Sequence, residues 1–150
     1  MEDRYLFKAK RLDNGEWEIG SLIALPTGEY EISNKCNNPP DCDPMWDKVV
    51  ITHKVDPSTI SQCTGLNDKN ENLIWENDIV KCVDENNGIE FTAIIEFGNP
   101  NGLYSWGYQL QHIKGDEPNL DILLWVDMEE AGATCKVIGN KFDNPELLEV

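Results

Sequence analysis

The sequence predicts a mainly β protein, with an N-terminal β-hairpin region and a C-terminal small five-stranded, SH3-like barrel accompanied by short helical turns. Three observations support this prediction. Apolar runs are short and recur at the spacing of strands. Turn residues that tolerate positive φ, such as those around Gly15 and Gly88, separate the runs. The 150 residues are 40% hydrophobic and include five Trp, which is enough for a folded core.

Residues 1–54 are predicted to form the N-terminal β region. Its strands alternate with turns that contain glycine, and one of these strands alternates acidic and apolar residues, as a strand with one wet face does. The predicted order is strand 5–10, turn Asp13-Asn14-Gly15, strand 17–25, turn Pro26-Thr27-Gly28 and strand 29–33. Residues 34–48 follow as a proline-rich loop that contains Pro39, Pro40 and Pro44.

Residues 55–76 are predicted to be a helical turn and a connector, because Asp56 is a capping residue and Pro57 suits the first helical position. Residues 77–150 are predicted to form the small barrel, a closure that leaves few exposed edges. Its predicted strands are 78–83, 89–97, 104–113, 120–126 and 135–142. Asn144 and Pro145 then predict a terminal helical turn.

The charge excludes several classes of function. Twelve Lys and Arg against 28 Asp and Glu give a formal net charge of -16, which opposes direct binding to nucleic acid or to anionic lipid. No run approaches the length of a membrane span, and the first residues do not resemble a signal peptide. We therefore expect a cytoplasmic protein. In that compartment the five Cys remain thiols without a structural disulfide.

Three blocks of the sequence resemble the YopX-like family of phage and prophage proteins. The first consists of Phe7-Lys8-Ala9 with Trp17 and Gly20, spaced as in an opening hairpin. The second and most specific runs from Val55 to Asn70 and continues from Ile74 to Val80. The third consists of Val137-Ile138-Gly139-Asn140 and Asn144-Pro145-Glu146-Leu147-Leu148.

This resemblance implies a mainly β fold with a barrel-like C-terminal half, carriage on a phage or prophage genome, and a function that is uncharacterised across the family. It supplies no catalytic residues. Two positions depart from the family pattern: Cys63 replaces an aromatic residue and Asn77 replaces a glycine. Because Asn can adopt the left-handed region, we expect the turn at Asn77 to be retained.

Candidate metal ligands have unsuitable spacing. Cys36, Cys42, His53 and Cys63 include the residue types that zinc prefers, but no C-x2-C knuckle is present. Asp41, Asp43 and Asp47 carry oxygens that suit calcium, but Pro44 and Met45 occupy the stretch in which an EF-hand places a further ligand and a glycine. We therefore predict buried or plain thiols, a solvated acidic loop and no cofactor.

The sequence also lacks the residue patterns of common catalytic sites. The only imidazoles are His53 and His112, and no serine lies in a G-x-S-x-G elbow. The neighbouring acids of the pairs Asp116-Glu117 and Glu129-Glu130 point apart on a strand and are typical of solvated surface. We predict no catalytic residue.

The tryptophans divide into core and surface candidates. Trp17, Trp106 and Trp125 lie in predicted strands and are expected to fill the core. Trp46 lies beside Met45 in the proline-rich loop, where no periodicity buries it. Met45 and Trp46 are therefore the candidate contact with a partner protein.

These observations favour an accessory protein that acts through contacts with a host or phage protein and forms a homo-oligomer, rather than an enzyme. Two alternatives stay open. The first is an acidic DNA mimic that inhibits a basic host protein, which the nine acids from Asp116 onward suggest. The second is an enzyme or small-ligand binder with a cleft between the two β halves.

Overall fold

The computed structural model describes residues 6–35, 50–98, 107–116, 120–127 and 132–149. The chain divides into two compact units, Met1–Gln62 and Cys63–Val150. Both units consist mainly of antiparallel strands, so the predicted β class is confirmed. The candidate contact residues Met45 and Trp46 lie outside the described residues.

The described elements are ten strands, one α-helix and two short 3-10 turns. The strands are β1 (Phe7–Lys10), β2 (Trp17–Ala24), β3 (Tyr30–Lys35), β4 (Val50–Val55), β5 (Ser61–Asn67), β6 (Leu73–Trp75), β7 (Asp78–Asp84), β8 (Ile89–Gly98), β9 (Gly107–Gly115) and β10 (Ala133–Asn140). The helix α1 is Ile122–Asp127, and the 3-10 turns are Pro57–Thr59 and Pro145–Leu148.

The first unit is a sheet in the order β4-β3-β2-β1-β5, in which Ser61 and Gln62 of β5 pair with β1. The predicted hairpins are confirmed, since β1 pairs with β2 and β2 with β3. Their turns contain Gly15 and Gly28, whose φ angles are 73° and 89°. Glycine adopts such angles without steric cost, which is why these turns can be read from the sequence.

The predicted helical turn after Asp56 is confirmed but is only three residues long. The Asp56 carboxylate accepts a hydrogen bond from the Ser58 N–H at 3.0 Å, as an N-cap does. Thr59 is buried, and its hydroxyl oxygen accepts from the Lys10 N–H at 2.8 Å, which ties the turn to β1.

In the second unit, residues of β5 from Cys63 onward pair with β6, and a four-stranded sheet follows in the order β10-β7-β8-β9. One face of this sheet packs against α1 and forms the core of the unit. The buried residues of that core are Ile74, Val80, Cys82, Phe91, Ala93, Ile95, Leu110, Ile122, Trp125, Ala133 and Cys135. We call the opposite face the outer face.

The predicted five-stranded barrel is not confirmed, because the described residues of 77–150 form an open four-stranded sheet and no closed barrel. The prediction of a strand over residues 120–126 is wrong, since Ile122–Asp127 is helical. Its apolar residues face the core with helical spacing: Ile122 and Trp125 are buried, whereas Leu123 is exposed. A short apolar run does not distinguish a strand from a buried helix.

The strands β4, β5 and β6 were not predicted. Their sequences lack strong alternation. β4 pairs with β3 and β5 pairs with β1 across long intervals of sequence, whereas β5 and β6 pair locally around the turn that contains Asp68. Asn34 and Lys35, which were predicted to belong to the proline-rich loop 34–48, belong to β3 instead, and residues 36–48 lie outside the described ones. Among the helices of the described residues, none has the length and apolar character needed to span a membrane.

Candidate functional site

Lysines form a row across the outer face of the four-stranded sheet. The pairing register places Lys136 of β10 opposite Lys81 of β7, Lys81 opposite Thr92 of β8, and Thr92 opposite Lys114 of β9. Directly paired residues project from the same face of a sheet. All three lysines are exposed, while Thr92 is buried between them. Each strand of the sheet thus contributes one polar residue to the row.

A cleft of about 370 Å³ lies along this row, and we call it the lysine cleft. Polar side chains of the sheet and apolar side chains from the end of the chain line it together. They are Lys81, Glu90, Thr92, Lys114, Ile138 and Leu147. Leu147 belongs to the terminal 3-10 turn, whose presence after Asn144 was predicted from the sequence and is confirmed.

The end of the β8–β9 pair holds Lys114 and Glu90 in place. Gly115 has a φ of 99°, and a Cβ there would be 2.6 Å from the Glu90 carbonyl oxygen, so only glycine fits this close approach. The Asp116 carboxylate accepts a hydrogen bond from the Glu90 N–H at 2.9 Å, and the Asp116 N–H donates to the Glu90 carbonyl at 3.0 Å. One rim of the lysine cleft is therefore fixed by backbone contacts.

Charges in the lysine cleft are only partly compensated by the chain. Lys81 Nζ lies 2.6 Å from Glu90 Oε1, and both side chains are about half exposed. Within the ranges that the structure describes, Lys114 and Lys136 have no ion pair. The lysine cleft therefore combines an ion pair, a further cation and an apolar wall.

The described part of the chain contains only two of the residues that were considered as metal ligands. His53 lies on β4 in the first unit, and Cys63 is buried in the second. The candidates Cys36, Cys42, Asp41, Asp43 and Asp47 lie outside the described residues. Among the described residues, no three or more His, Cys, Asp or Glu side chains form a group that could hold a metal ion.

The thiols of the second unit belong to its core. Cys82 and Cys135 face each other across β7 and β10, and both are buried, with exposed fractions of 0% and 1%. A hydrogen bond with Cys135, followed by burial, raises the pKa of the Cys82 thiol. Because the thiolate is the reactive form, this arrangement makes Cys82 a poor nucleophile.

Tryptophans occupy two different environments. Trp125 was predicted to be in the core and is, with its ring packed edge-on to that of Phe91 at a centroid distance of 5.0 Å. Trp17 is only half-buried, and the ammonium groups of Lys8 and Lys10 lie 4.6 and 5.5 Å from its ring centroid. Trp106 lies outside the described residues.

The histidine and tyrosine of β9 do not form an acid–base pair. His112 Nε2 lies 3.3 Å from the Gly115 carbonyl oxygen, a backbone contact. The Tyr108 hydroxyl is buried without a hydrogen-bond partner in the described structure. Burial, with smaller effects from the charges of Glu76 and Cys63, raises the pKa of Tyr108 to about 12. Tyr108 therefore remains protonated near neutral pH.

The aspartate of the Asp68-Lys69-Asn70 turn performs a structural task. Its carboxylate accepts hydrogen bonds at 2.9 Å from the N–H groups of Asn70, Asn72 and Val137. The Lys69 N–H donates to the Cys135 carbonyl at 2.9 Å. The turn therefore occupies part of the exposed edge of β10, and this protects the edge from pairing with another chain.

Sequence reasoning missed the lysine cleft. Its only sequence signal is the presence of one lysine each in β7, β9 and β10, in a segment rich in acids. The register that aligns these lysines depends on strand pairing between distant segments, with a β-bulge near Thr92 and Ala93. A register shift of one residue would reverse the face on which each lysine lies.

A comparison with protein-family models matches residues 7–149 to the family described as YopX protein. The match covers nearly the whole chain and includes all three blocks named above. A search of curated proteins finds no match.

Proposed function

This chain belongs to the YopX protein family, and on that premise we propose that it is a phage- or prophage-encoded accessory protein that acts through contacts with other proteins and with copies of itself. The observation that supports this best is the exposure of large apolar side chains. Phe97 is 60% exposed at the end of β8, and its ring packs edge-on to Tyr108 at 5.0 Å. Exposed aromatic side chains are enriched at protein interfaces.

The proposed contact residues are Met45 and Trp46, together with Phe97. We place the protein in the cytoplasm, where the thiols of Cys82 and Cys135 stay reduced. The buried acids Asp68 and Asp78 accept hydrogen bonds from backbone N–H groups, which gives both a structural role.

Size-exclusion chromatography with light scattering tests self-association across a range of protein concentrations. We expect a mass above 17.0 kDa that rises with concentration. The variants Trp46→Ser and Phe97→Ser are expected to lower it, whereas Leu123→Ser, at another exposed apolar position, serves as the control. A species of 17.0 kDa at every concentration would rule out self-association.

A second candidate function is inhibition of a basic host protein by mimicry of DNA. The net charge of -16 favours it, because closely spaced carboxylates can imitate phosphates. Pull-down from host lysate at low and high salt provides the test. Mimicry predicts capture of a DNA-binding protein that DNA displaces and that salt releases steeply, and capture of no basic protein at low salt eliminates it.

A further inference from the structure

The lysine cleft concentrates positive charge in an acidic unit. Residues 63–150 contain seventeen Asp and Glu but only five Lys, and three of those lysines lie in one row on the outer face. Lys136 and Lys81 are directly opposite each other, an arrangement in which like charges destabilise an antiparallel pair. The row therefore carries a cost in stability that the packing of the sheet does not require.

The chain itself offsets only part of this cost. Glu90 pairs with Lys81, whereas Lys114 and Lys136 lack an ion pair in the described ranges. Lys114 lies directly beside the buried Thr92 and lines the lysine cleft together with it. An anion at this position would replace water at the Lys114 ammonium, and it would share the Lys81 ammonium with the Glu90 carboxylate.

The opposite wall of the lysine cleft is apolar. Ile138 and Leu147 come from β10 and from the terminal 3-10 turn, and both side chains are partly buried. The volume of about 370 Å³ lies within the range of small-molecule sites, which combine an apolar lining with a few polar groups. The cleft thus has a charged side and an apolar side.

We propose that the lysine cleft binds a small organic anion, in which a phosphate or carboxylate group is joined to an apolar body. The oxyanion contacts Lys81 and Lys114, and the apolar body packs against Ile138 and Leu147. Lysine binds phosphate and carboxylate as a point charge, so the site selects charge and size. This binding activity is additional to the proposed protein contacts.

The size of the ligand follows from the charge of the chain. A polyanion such as nucleic acid would extend beyond the lysine row onto surfaces that carry the net charge of -16, where it would be repelled. A compact anion contacts the lysines without reaching those surfaces. The same argument excludes a long acidic peptide from the lysine cleft.

Titration of the full-length protein with phenyl phosphate, followed by amide NMR, tests the proposal. We expect millimolar concentrations to shift the amide signals of Lys81, Thr92, Lys114 and Gly115, with an affinity that falls as salt is added. Inorganic phosphate and benzyl alcohol separate the two halves of the ligand. Each should bind more weakly than phenyl phosphate, because each engages one wall only.

Lys114→Gln should weaken phenyl phosphate binding by about tenfold, the effect of losing one charge-assisted contact. Lys69→Gln removes a lysine of the same unit outside the lysine cleft and should leave the affinity unchanged. Spectral dispersion equal to that of the wild type shows that both variants fold.

Four results would overturn the proposal. They are no shift at the lysine cleft, an equal loss in the two variants, inorganic phosphate binding as tightly as phenyl phosphate, and cleft signals that move with protein concentration instead of with the probe. The last would identify a second copy of the chain as the occupant. The first three results do not bear on self-association, whereas the last would locate it at the lysine cleft instead of at Trp46 or Phe97.

Discussion

At the scale of single residues, Asp68 links segments that are far apart in the sequence. Burial acts to raise the pKa of its carboxyl, but hydrogen bonds from Val137, Asn72 and Asn70 outweigh that effect, so the pKa is below the ordinary value of 3.8. The residue is only 6% exposed, which protects these bonds from water. Its charge therefore stabilises both the turn and the edge of β10.

Replacing Asp68 by Ala should lower the free energy of unfolding by roughly 2–3 kcal/mol, because three backbone N–H groups lose their acceptor. Asp68→Asn should cost less, since the amide keeps one acceptor. Urea unfolding measures both. A cost below that of an exposed control such as Glu71→Ala would contradict the role of Asp68.

The same contacts predict a pH dependence. A carboxyl with a lowered pKa in the folded state stabilises the protein above its unfolded pKa, and this contribution is lost as the pH falls below 3.8 toward the folded value. The difference in stability between wild type and Asp68→Asn should therefore shrink on acidification. A difference that stays constant from neutral to acidic pH would show that the Asp68 charge contributes nothing.

Gly139 is required by the close approach of Asn144. A Cβ at Gly139 would be 2.5 Å from Asn144 Oδ1, the atom that accepts a hydrogen bond from the Asn140 N–H at 3.2 Å. Gly139→Ala should thus destabilise the second unit by about 1–2 kcal/mol through steric overlap. In the background of Asn144→Ala, Gly139→Ala should destabilise the protein much less. Unfolding of the wild type, the two single variants and the double variant measures both costs. Equal costs in both backgrounds would exclude the overlap.

At the scale of elements, helix α1 depends on its packing. A helix of six residues is too short to be stable alone, so its conformation requires the contacts of Ile122 and Trp125 with the sheet. The buried Ile122 and Trp125 should therefore contribute more to stability than Leu123, which is 50% exposed.

Trp125→Ala should cost about 3–5 kcal/mol, the range for loss of a buried aromatic side chain. Leu123→Ala should change stability by no more than about 0.5 kcal/mol. Urea unfolding followed by circular dichroism suits both variants, since the first one loses a fluorophore. Similar costs at the two positions would mean that α1 does not pack on the sheet through Trp125.

At the scale of the whole molecule, the excess of acids affects stability more than fold. A net charge of -16 destabilises the compact state through repulsion, and salt screens that repulsion. We expect the midpoint of thermal unfolding to rise by about 4 °C between low and physiological ionic strength, which corresponds to roughly 1 kcal/mol. Sucrose in place of salt is the control, and a midpoint that falls as salt is added would show that attractive ion pairs dominate.

Local chemistry made several elements predictable. Gly15 and Gly28 adopt positive φ in the predicted turns, and Asn77, which replaces the glycine of the family pattern, has a φ of 73° as expected. Asp56 with Pro57 starts a helical turn where predicted. Each of these features depends on the φ preference or the hydrogen-bonding capacity of one or two neighbouring residues, so no distant contact is needed to predict it.

The sequence by itself determined the β class, the positions of turns and caps, the acidity and the family, because composition and local backbone preferences encode them. Tertiary structure alone decided that residues 122–127 form a helix and that β4 pairs with β3 and β5 with β1. It also decided that the four-stranded sheet stays open in the described part of the chain, and that Lys81, Lys114 and Lys136 share one face. Those outcomes depend on register and packing between segments tens of residues apart, which the pattern of any one segment does not specify.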